Sequence, residues 1–154
     1  MIEKIPGRFY IDPTVRRLGK WLRYLGFDAP FTGPRTSPPL DGYLITKRKS
    51  GIQPSPRVLF VPHDRIEKQL PWFIERFKDE INPAVLGNRC IRCNETLIEI
   101  PKEDVMNLIP DYVFQTQTHF KECPRCHKIY WKGSHVSRMR AFLAGICSSI
   151  EIDS

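Results

Sequence analysis

Two Cys-x-x-Cys pairs, Cys90 with Cys93 and Cys123 with Cys126, constrain this chain more than any other feature. A Cys-x-x-Cys segment curls so that both thiolates reach one ion at about 2.3 Å, and two such segments complete a tetrahedral shell with no open position. The spacing predicts one structural zinc ion on Cys90, Cys93, Cys123 and Cys126, in a zinc-ribbon-like pair of knuckles. Redox pairs compete for this reading, but they come singly, at the start of a helix. Iron is the alternative ion, because four thiolates hold it too. His119 and His127 lie near the pairs, yet four thiolates leave them no place as ligands. Cys147 stands alone in an apolar stretch and reads as a small core residue.

A metal set rather than a disulfide set implies a reducing compartment. No apolar run is long enough to span a membrane, and Met1–Pro6 lacks a signal-peptide core. The expectation is a cytoplasmic protein with no membrane partner. Its length, 154 residues, suits one compact domain or one domain with a small appendage.

The formal net charge of +7 is unevenly placed. Residues 1–60 carry eleven Lys/Arg against four Asp/Glu, whereas residues 61–154 carry thirteen of each. A basic surface concentrates polyanions and gains free energy from counterion release when it meets phosphates. Nucleic-acid contact is therefore expected of the first part of the chain.

The element pattern divides in the same region. Arg8–Asp12 is short and β-prone, and Asp12-Pro13 starts a helix whose buried stripe is Val15, Leu18, Leu22 and Leu25, ended by Gly26. Residues 28–41 read as an irregular Pro-rich loop. Gly42–Thr46 and Val58–Val61 read as buried strands, and Lys47-Arg48-Lys49 follows the first of them directly. Asp64 with Glu67 resembles a capping box for an amphipathic helix that Pro71 should kink or divide. This order argues for an α/β layer with a mainly parallel sheet. From Asn88 onward the pattern changes to short strands (Thr96–Ile100, Phe120–Cys123, Lys128–Trp131), a helix over Lys102–Ile109 and a last helix over Ser134–Cys147. Val136, Met139, Phe142, Leu143 and Ile146 should face inward from that helix.

Phe9-Tyr10-Ile11-Asp12, leading into Leu18-Gly19-Lys20-Trp21-Leu22-Arg23-Tyr24-Leu25-Gly26-Phe27-Asp28, resembles a known opening. It is that of the RNase-like family named for the C-terminal domain of the Mut-seven exonuclease, a PIN-like fold with an appended zinc ribbon. Leu44-Ile45-Thr46-Lys47 is similar to its Leu-Leu-Thr-Arg-Asp strand. The tail is more specific: Arg89-Cys90-Ile91-Arg92-Cys93-Asn94, Cys123-Pro124-Arg125-Cys126 and Ile129-Tyr130-Trp131-Lys132-Gly133-Ser134-His135 with Met139 all fit. The resemblance spans nearly the whole chain. It implies an α/β fold with a reduced PIN-like parallel sheet over residues 1–86, followed by a zinc-ribbon subdomain with a C-terminal helix over 87–154.

The chemistry implied by the resemblance is RNA phosphodiester cleavage by carboxylates holding Mg²⁺ or Mn²⁺, which need hard oxygen ligands. Asp12 matches the first acidic position and is the one candidate catalytic residue, although it also reads as the cap before Pro13. The second acid of the motif falls on Arg48, and the acidic helix before that strand is replaced by the Pro-rich loop. Asp41 aligns with the turn before the strand, and Asp64 reads as a helix cap.

These departures lead to an expected function. The chain is read as a catalytically degenerate RNase-like protein that binds structured RNA, such as ribosomal or transfer RNA. Arg16, Arg17, Lys20, Arg23, Lys47, Arg48 and Lys49 would contact phosphates. One alternative is an active Mg/Mn-dependent ribonuclease using Asp12 with Asp41 or Asp64. Another is a zinc-ribbon interaction module of a larger assembly, such as a ribonucleoprotein, with Tyr130, Trp131 and His135 as its surface. The plainer reading of those three is packing, with His135 bonded near the start of the last helix and Ser134 as its cap.

Overall fold

Alternation of side chains along three short strands gives the first sheet two unequal faces. The computed structural model describes residues 7–34, 37–132 and 135–146. In it β1 (Arg8–Ile11) pairs in parallel with β2 (Gly42–Thr46), and β2 pairs in parallel with β3 (Val58–Phe60). Phe9, Ile11, Ile45 and Leu59 enter the main core. There Phe9 meets the rings of Phe27, Phe73 and Phe77 at 5.2, 5.3 and 5.0 Å. Leu44 and Val58 form a smaller cluster with Ile52, partly covered by Tyr10 and Phe60.

Helices α1 (Arg16–Tyr24) and α2 (Ile66–Phe77) bury their apolar stripes in the same main core, through Leu18, Leu22, Leu70, Phe73 and Ile74. A 3-10 turn over Pro13–Val15 leads into α1, and Asp12 caps it through the Thr14 amide as Asp-Pro predicts. Gly19 permits the close approach of α1 to β1, because a Cβ there would lie 2.7 Å from Ile11 Cγ2. Gly26, at φ 98°, ends the helix in the left-handed conformation that glycine adopts without penalty.

The Pro-rich stretch is not an unattached loop. Phe9 N donates to Asp28 O and Ile11 N to Pro30 O, both at 2.9 Å, and Thr32 N returns a bond to Ile11 O at 3.0 Å. Residues 28–32 therefore run along the free edge of β1. Pro30 is tolerated there because an edge uses its carbonyl and needs no amide from it. Two expectations for α2 also change. The helix runs unbroken through Pro71, and no side chain caps its start. Asp64, expected as the cap, instead bonds Lys47 Nζ.

The second sheet is antiparallel: β4 (Ile98–Ile100), β5 (Phe120–Glu122) and β6 (Ile129–Trp131), in that order. The helix expected over Lys102–Ile109 is only a 3-10 turn, Lys102–Val105. Asn107, at φ 68°, breaks it. An unforeseen α3 (Asp111–Thr116) then starts after Pro110. Val105, Ile109, Val113 and Phe120 form the core beneath this insertion.

Helix α4 (His135–Ile146) returns to the first half: Met139 and Leu143 join the main core, and the Phe142 ring lies 5.0 Å from Trp21. The Ser134 cap and the core role of Cys147 fall outside the described residues, as do the side chains of His135, Val136 and Ile146. Among the described residues no helix is long and apolar enough to cross a membrane.

Candidate functional site

Open parallel sheets place their ligand sites beyond the carboxyl ends of the strands. Asp12, next after β1, and Lys47-Arg48, next after β2, occupy that edge, where Asp12 N donates to Ile45 O at 3.0 Å. Asp12 is fully buried. Its Oδ1 accepts from Arg48 Nε at 3.1 Å and Nη2 at 2.9 Å. Its Oδ2 accepts from the Thr14 amide at 3.0 Å and the Thr14 hydroxyl at 2.6 Å. Four donors thus fill the four acceptor positions of the carboxylate. Thr14 Oγ1 in turn accepts from Lys47 N, and Thr46 Oγ1 from Arg48 N, each at 3.0 Å, so the two strand ends are tied together. Burial pushes the Asp12 carboxyl up, but the Thr14 hydroxyl, the Arg48 guanidinium and the Thr14 amide outweigh it and hold it below the ordinary 3.8.

The other acids considered for metal binding are engaged elsewhere. Asp64 pairs with Lys47, whose bond and charge draw its carboxyl down. Asp41 precedes β2, at the opposite end of the sheet from Asp12, and accepts from the Tyr10 hydroxyl at 2.9 Å. Arg8 lies 3.6 Å from the same carboxylate. Among the described residues, the only group of three or more His, Cys, Asp and Glu ligand atoms brought together is the four cysteines.

The expected phosphate contacts divide on exposure. Arg16, Arg17, Lys20 and Lys49 are exposed, whereas Lys47 and Arg48 are half-buried in their ion pairs. Arg17 borders a cleft of about 300 Å³ with Thr14, Asp64, Arg65 and Glu67. Arg23 must be removed from the set, because it is only 3% exposed. Its Nε donates to Ala29 O and its Nη1 to Ile91 O, both at 2.9 Å, while its guanidinium stacks 3.7 Å from the Phe31 ring centroid. Burial lowers the pKa of this guanidinium. The helical pattern placed Arg23 on a polar face; the edge segment at Ala29 and Phe31 and the first knuckle at Ile91 cover that face.

The four sulfurs converge as the spacing predicts. All lie within 4.8 Å of one another, and Cys90 Sγ is 3.8 Å from Cys126 Sγ. A tetrahedral shell with bonds of about 2.3 Å requires sulfurs about 3.8 Å apart. None of the four forms a disulfide. The knuckles share one backbone plan: Asn94 N donates to Cys90 O at 2.8 Å and His127 N to Cys123 O at 2.9 Å, with Asn94 and His127 at φ 67° and 63°. The amides of Arg125 and Cys126 approach Cys123 Sγ at 3.4 Å. Burial raises the Cys90 thiol, but the Tyr130 hydroxyl, 3.1 Å away, and the knuckle amides bring it down to about 7. This donor set fits a thiolate-bound metal ion such as zinc.

A family model for the Mut7-C RNAse domain matches residues 7–143. The chain belongs to the Mut7-C RNAse domain family. Neither the curated proteins nor the solved structures gave a match. The matched segment of this Mut7-C RNAse domain runs from the residue before β1 to Leu143 of α4 and takes in both sheets.

Spacing alone does not disclose three of its working residues. Thr14 completes the shell of Asp12. Tyr130 supplies a hydroxyl to a metal-site sulfur. Asn94 closes the first knuckle and also clamps the edge segment: its Nδ2 donates to Asp28 Oδ1 at 2.6 Å, and its Oδ1 accepts from Ala29 N at 2.9 Å. The signal for Asn94 is its place right after Cys93, where a left-handed turn favours Asn.

Proposed function

We propose that this Mut7-C RNAse-domain protein binds structured RNA, such as ribosomal or transfer RNA, and does not cleave it by the metal-dependent chemistry of a carboxylate cluster. The observation that carries this reading is the Asp12–Arg48 pair. A nuclease site of that kind needs several oxygen ligands around a hard cation. Here the one buried carboxylate at the sheet edge is saturated by Arg48 and Thr14, and Asp41 lies at the far end of the sheet. What remains is a cationic edge built from Arg17, Lys47, Arg48 and Lys49, flanked by Arg16 and Lys20. Such an edge suits phosphate contact better than in-line displacement.

In this proposal residues 1–86 present the basic edge and residues 87–154 form the ribbon with its helix. Cys90, Cys93, Cys123 and Cys126 would hold a zinc ion in a closed structural site, stabilising the ribbon and offering no open position for catalysis. The test is a paired assay with a transfer RNA as probe, measuring cleavage in Mg²⁺ or Mn²⁺ and binding in the same buffers. Binding without turnover is expected for the wild type. Metal-dependent cleavage that disappears in Asp12→Asn would overturn the proposal.

A further inference from the structure

Large apolar side chains left in water singly are ordinary, but a concentration of them marks a docking surface. Among the described residues five such side chains are exposed, and four fall within residues 98–112: Ile98 at 51%, Met106 at 55%, Leu108 at 66% and Tyr112 at 70%. The arrangement is fixed from beneath. Val105, Ile109 and Val113 pack inward with Phe120, so Met106, Leu108 and Tyr112 between them turn outward. Leu108 N donates to Val105 O and Val113 N to Pro110 O, each at 3.0 Å, and the Thr116 hydroxyl donates to Tyr112 O at 2.7 Å. Lys102 Nζ, 4.7 Å from the Phe114 ring centroid, ties the start of the insertion to α3. Ile98 shares the sheet face of Ile100, on which the insertion packs, but lies beyond the part it covers.

The same stretch carries charge of one sign. Glu99, Glu103, Asp104 and Asp111 stand against Lys102 alone, a balance of −3 within a chain of +7. Glu99 alternates to the other face of the sheet, so Glu103, Asp104 and Asp111 are the acids beside the apolar group. All three are exposed, and among the described residues none of them takes part in an ion pair.

We propose that the insertion over residues 102–116, with Ile98 of β4, docks a segment of a partner protein in which large apolar side chains stand beside Lys and Arg. The exposed apolar groups supply contact area, and Tyr and Met are among the residue types that protein interfaces favour. The acids set the sign of the partner: they repel RNA and anionic lipid, and they steer a basic segment to the surface. Because the insertion is already ordered by its own core and turns, little entropy is lost on its side when the partner binds. The chain is thereby divided by charge, with a basic sheet edge in its first half and an acidic, apolar insertion in its second. The docking surface does not rest on the RNA reading, and the two fail separately.

The experiment pans the full chain, its metal content measured, against a random dodecapeptide library displayed on phage, and repeats the panning with Leu108→Ser/Tyr112→Ser. Peptides enriched on the wild type should combine Lys or Arg with large apolar residues. Their consensus, synthesised with a fluorescein label, should lose affinity by about tenfold or more in Leu108→Ser/Tyr112→Ser. Glu103→Lys/Asp104→Lys tests the charge by itself and should weaken the same peptide by about tenfold, with a larger effect at low salt. All four replaced side chains are exposed, so each double variant should melt within about 4 °C of wild type. Amide shifts in the wild type on adding the peptide should cluster in residues 98–116. A peptide site elsewhere overturns the proposal, as does enrichment of acidic peptides or of none. Affinity within twofold of wild type in both variants overturns it too. Self-association of the wild type that is lost in Leu108→Ser/Tyr112→Ser, measured by sedimentation, would overturn it in favour of a face between two copies. A failure of the RNA reading would show instead with the transfer RNA probe and leave the peptide result intact.

Discussion

The guanidinium of Arg48 donates twice to one oxygen of the buried Asp12 carboxylate, at 3.1 and 2.9 Å, on the strand edge where parallel sheets gather their ligands. It fills, with one fixed charge, a position that an acidic residue would leave to a divalent ion. Arg48→Asp should therefore lose stability at neutral pH, because Asp12 would face a second carboxylate and lose two charged hydrogen bonds. Breaking a buried pair costs about 3–5 kcal/mol, but Arg48 is one-third exposed, so about 1–3 kcal/mol is expected. Millimolar Mn²⁺ should restore part of that loss in the variant and leave the wild type unchanged, measured as Tm. A Tm of Arg48→Asp indifferent to Mn²⁺ would show that two carboxylates at this edge do not make a divalent-ion site.

Asp12 and Asp64 both ionise below the ordinary 3.8, for different reasons. Burial opposes the shift at Asp12 and is outweighed by Thr14 and Arg48, while Asp64 responds to the bond and charge of Lys47. A carboxyl whose folded pKa is depressed binds more protons in the unfolded chain. Its contribution to stability is complete above about 3.8 and is lost as pH falls through the folded value. Denaturant midpoints followed from pH 7 to pH 2 should fall steeply below about pH 4, and less steeply in Asp12→Asn. High salt should erase the exposed Lys47–Asp64 share and leave the buried Asp12 share in place.

The parts of the fold written in short-range patterns were legible in the sequence. Asp12-Pro13 and Gly26 mark both ends of the first helical segment, and the four cysteines mark the metal site, because each depends on neighbours a few residues away. The misreadings have a common physical origin in contacts between distant segments. Arg23 looks polar on a helical wheel, and only the approach of Ala29, Phe31 and Ile91 turns it into a core group. Asp64 has the spacing of a cap, yet Lys47, seventeen residues away, takes its carboxylate. Residues 28–32 lack strand periodicity because an edge beside β1 needs carbonyls more than alternating side chains. The ribbon insertion reads as one helix until Asn107 adopts φ 68° and divides it from α3.

Removing the metal should separate the chain's two sources of order. The ribbon is held by two small clusters, Leu97 and Tyr130 with the cysteines and Val105, Ile109, Val113 and Phe120 under the insertion, so its stability is expected to depend on an ion at the cysteines, as in other small metal-held segments. A strong chelator should release one metal ion per chain, zinc on the proposed reading, and abolish amide protection in β4–β6, while β1–β3 with α1 and α2 stay protected. Hydrogen exchange with metal analysis checks both. Tyr130→Phe removes the hydroxyl beside Cys90 Sγ and should weaken metal affinity by about 10-fold, as loss of such an outer partner does.

Arg23 links α1, the edge segment and the first knuckle through two carbonyls and one ring. Arg23→Ala leaves the carbonyls of Ala29 and Ile91 without their donor and empties the space over Phe31. A loss of about 2–4 kcal/mol in unfolding free energy is expected. The folded fraction should keep wild-type RNA affinity and salt dependence. A weaker salt slope without a stability loss would return Arg23 to the phosphate contacts.

Lys49 and Arg17 give the cleanest test of the basic edge, because Lys47 and Arg48 are tied to Asp64 and Asp12 and their removal also perturbs folding. Both test residues are exposed, whereas the carboxylates of Asp12 and Asp64 pair with Arg48 and Lys47. Each phosphate neutralised by a cation contributes just under one to the slope of log K against log salt. Lys49→Ala should weaken transfer RNA binding about equally across sequences and reduce the magnitude of that slope by about 1; adding Arg17→Ala should reduce it by about 1 again. Melting temperatures should stay within about 2 °C of wild type, as expected for surface substitutions worth under about 0.5 kcal/mol. An unchanged slope in the double variant, at wild-type stability, would move the RNA contact away from the sheet edge.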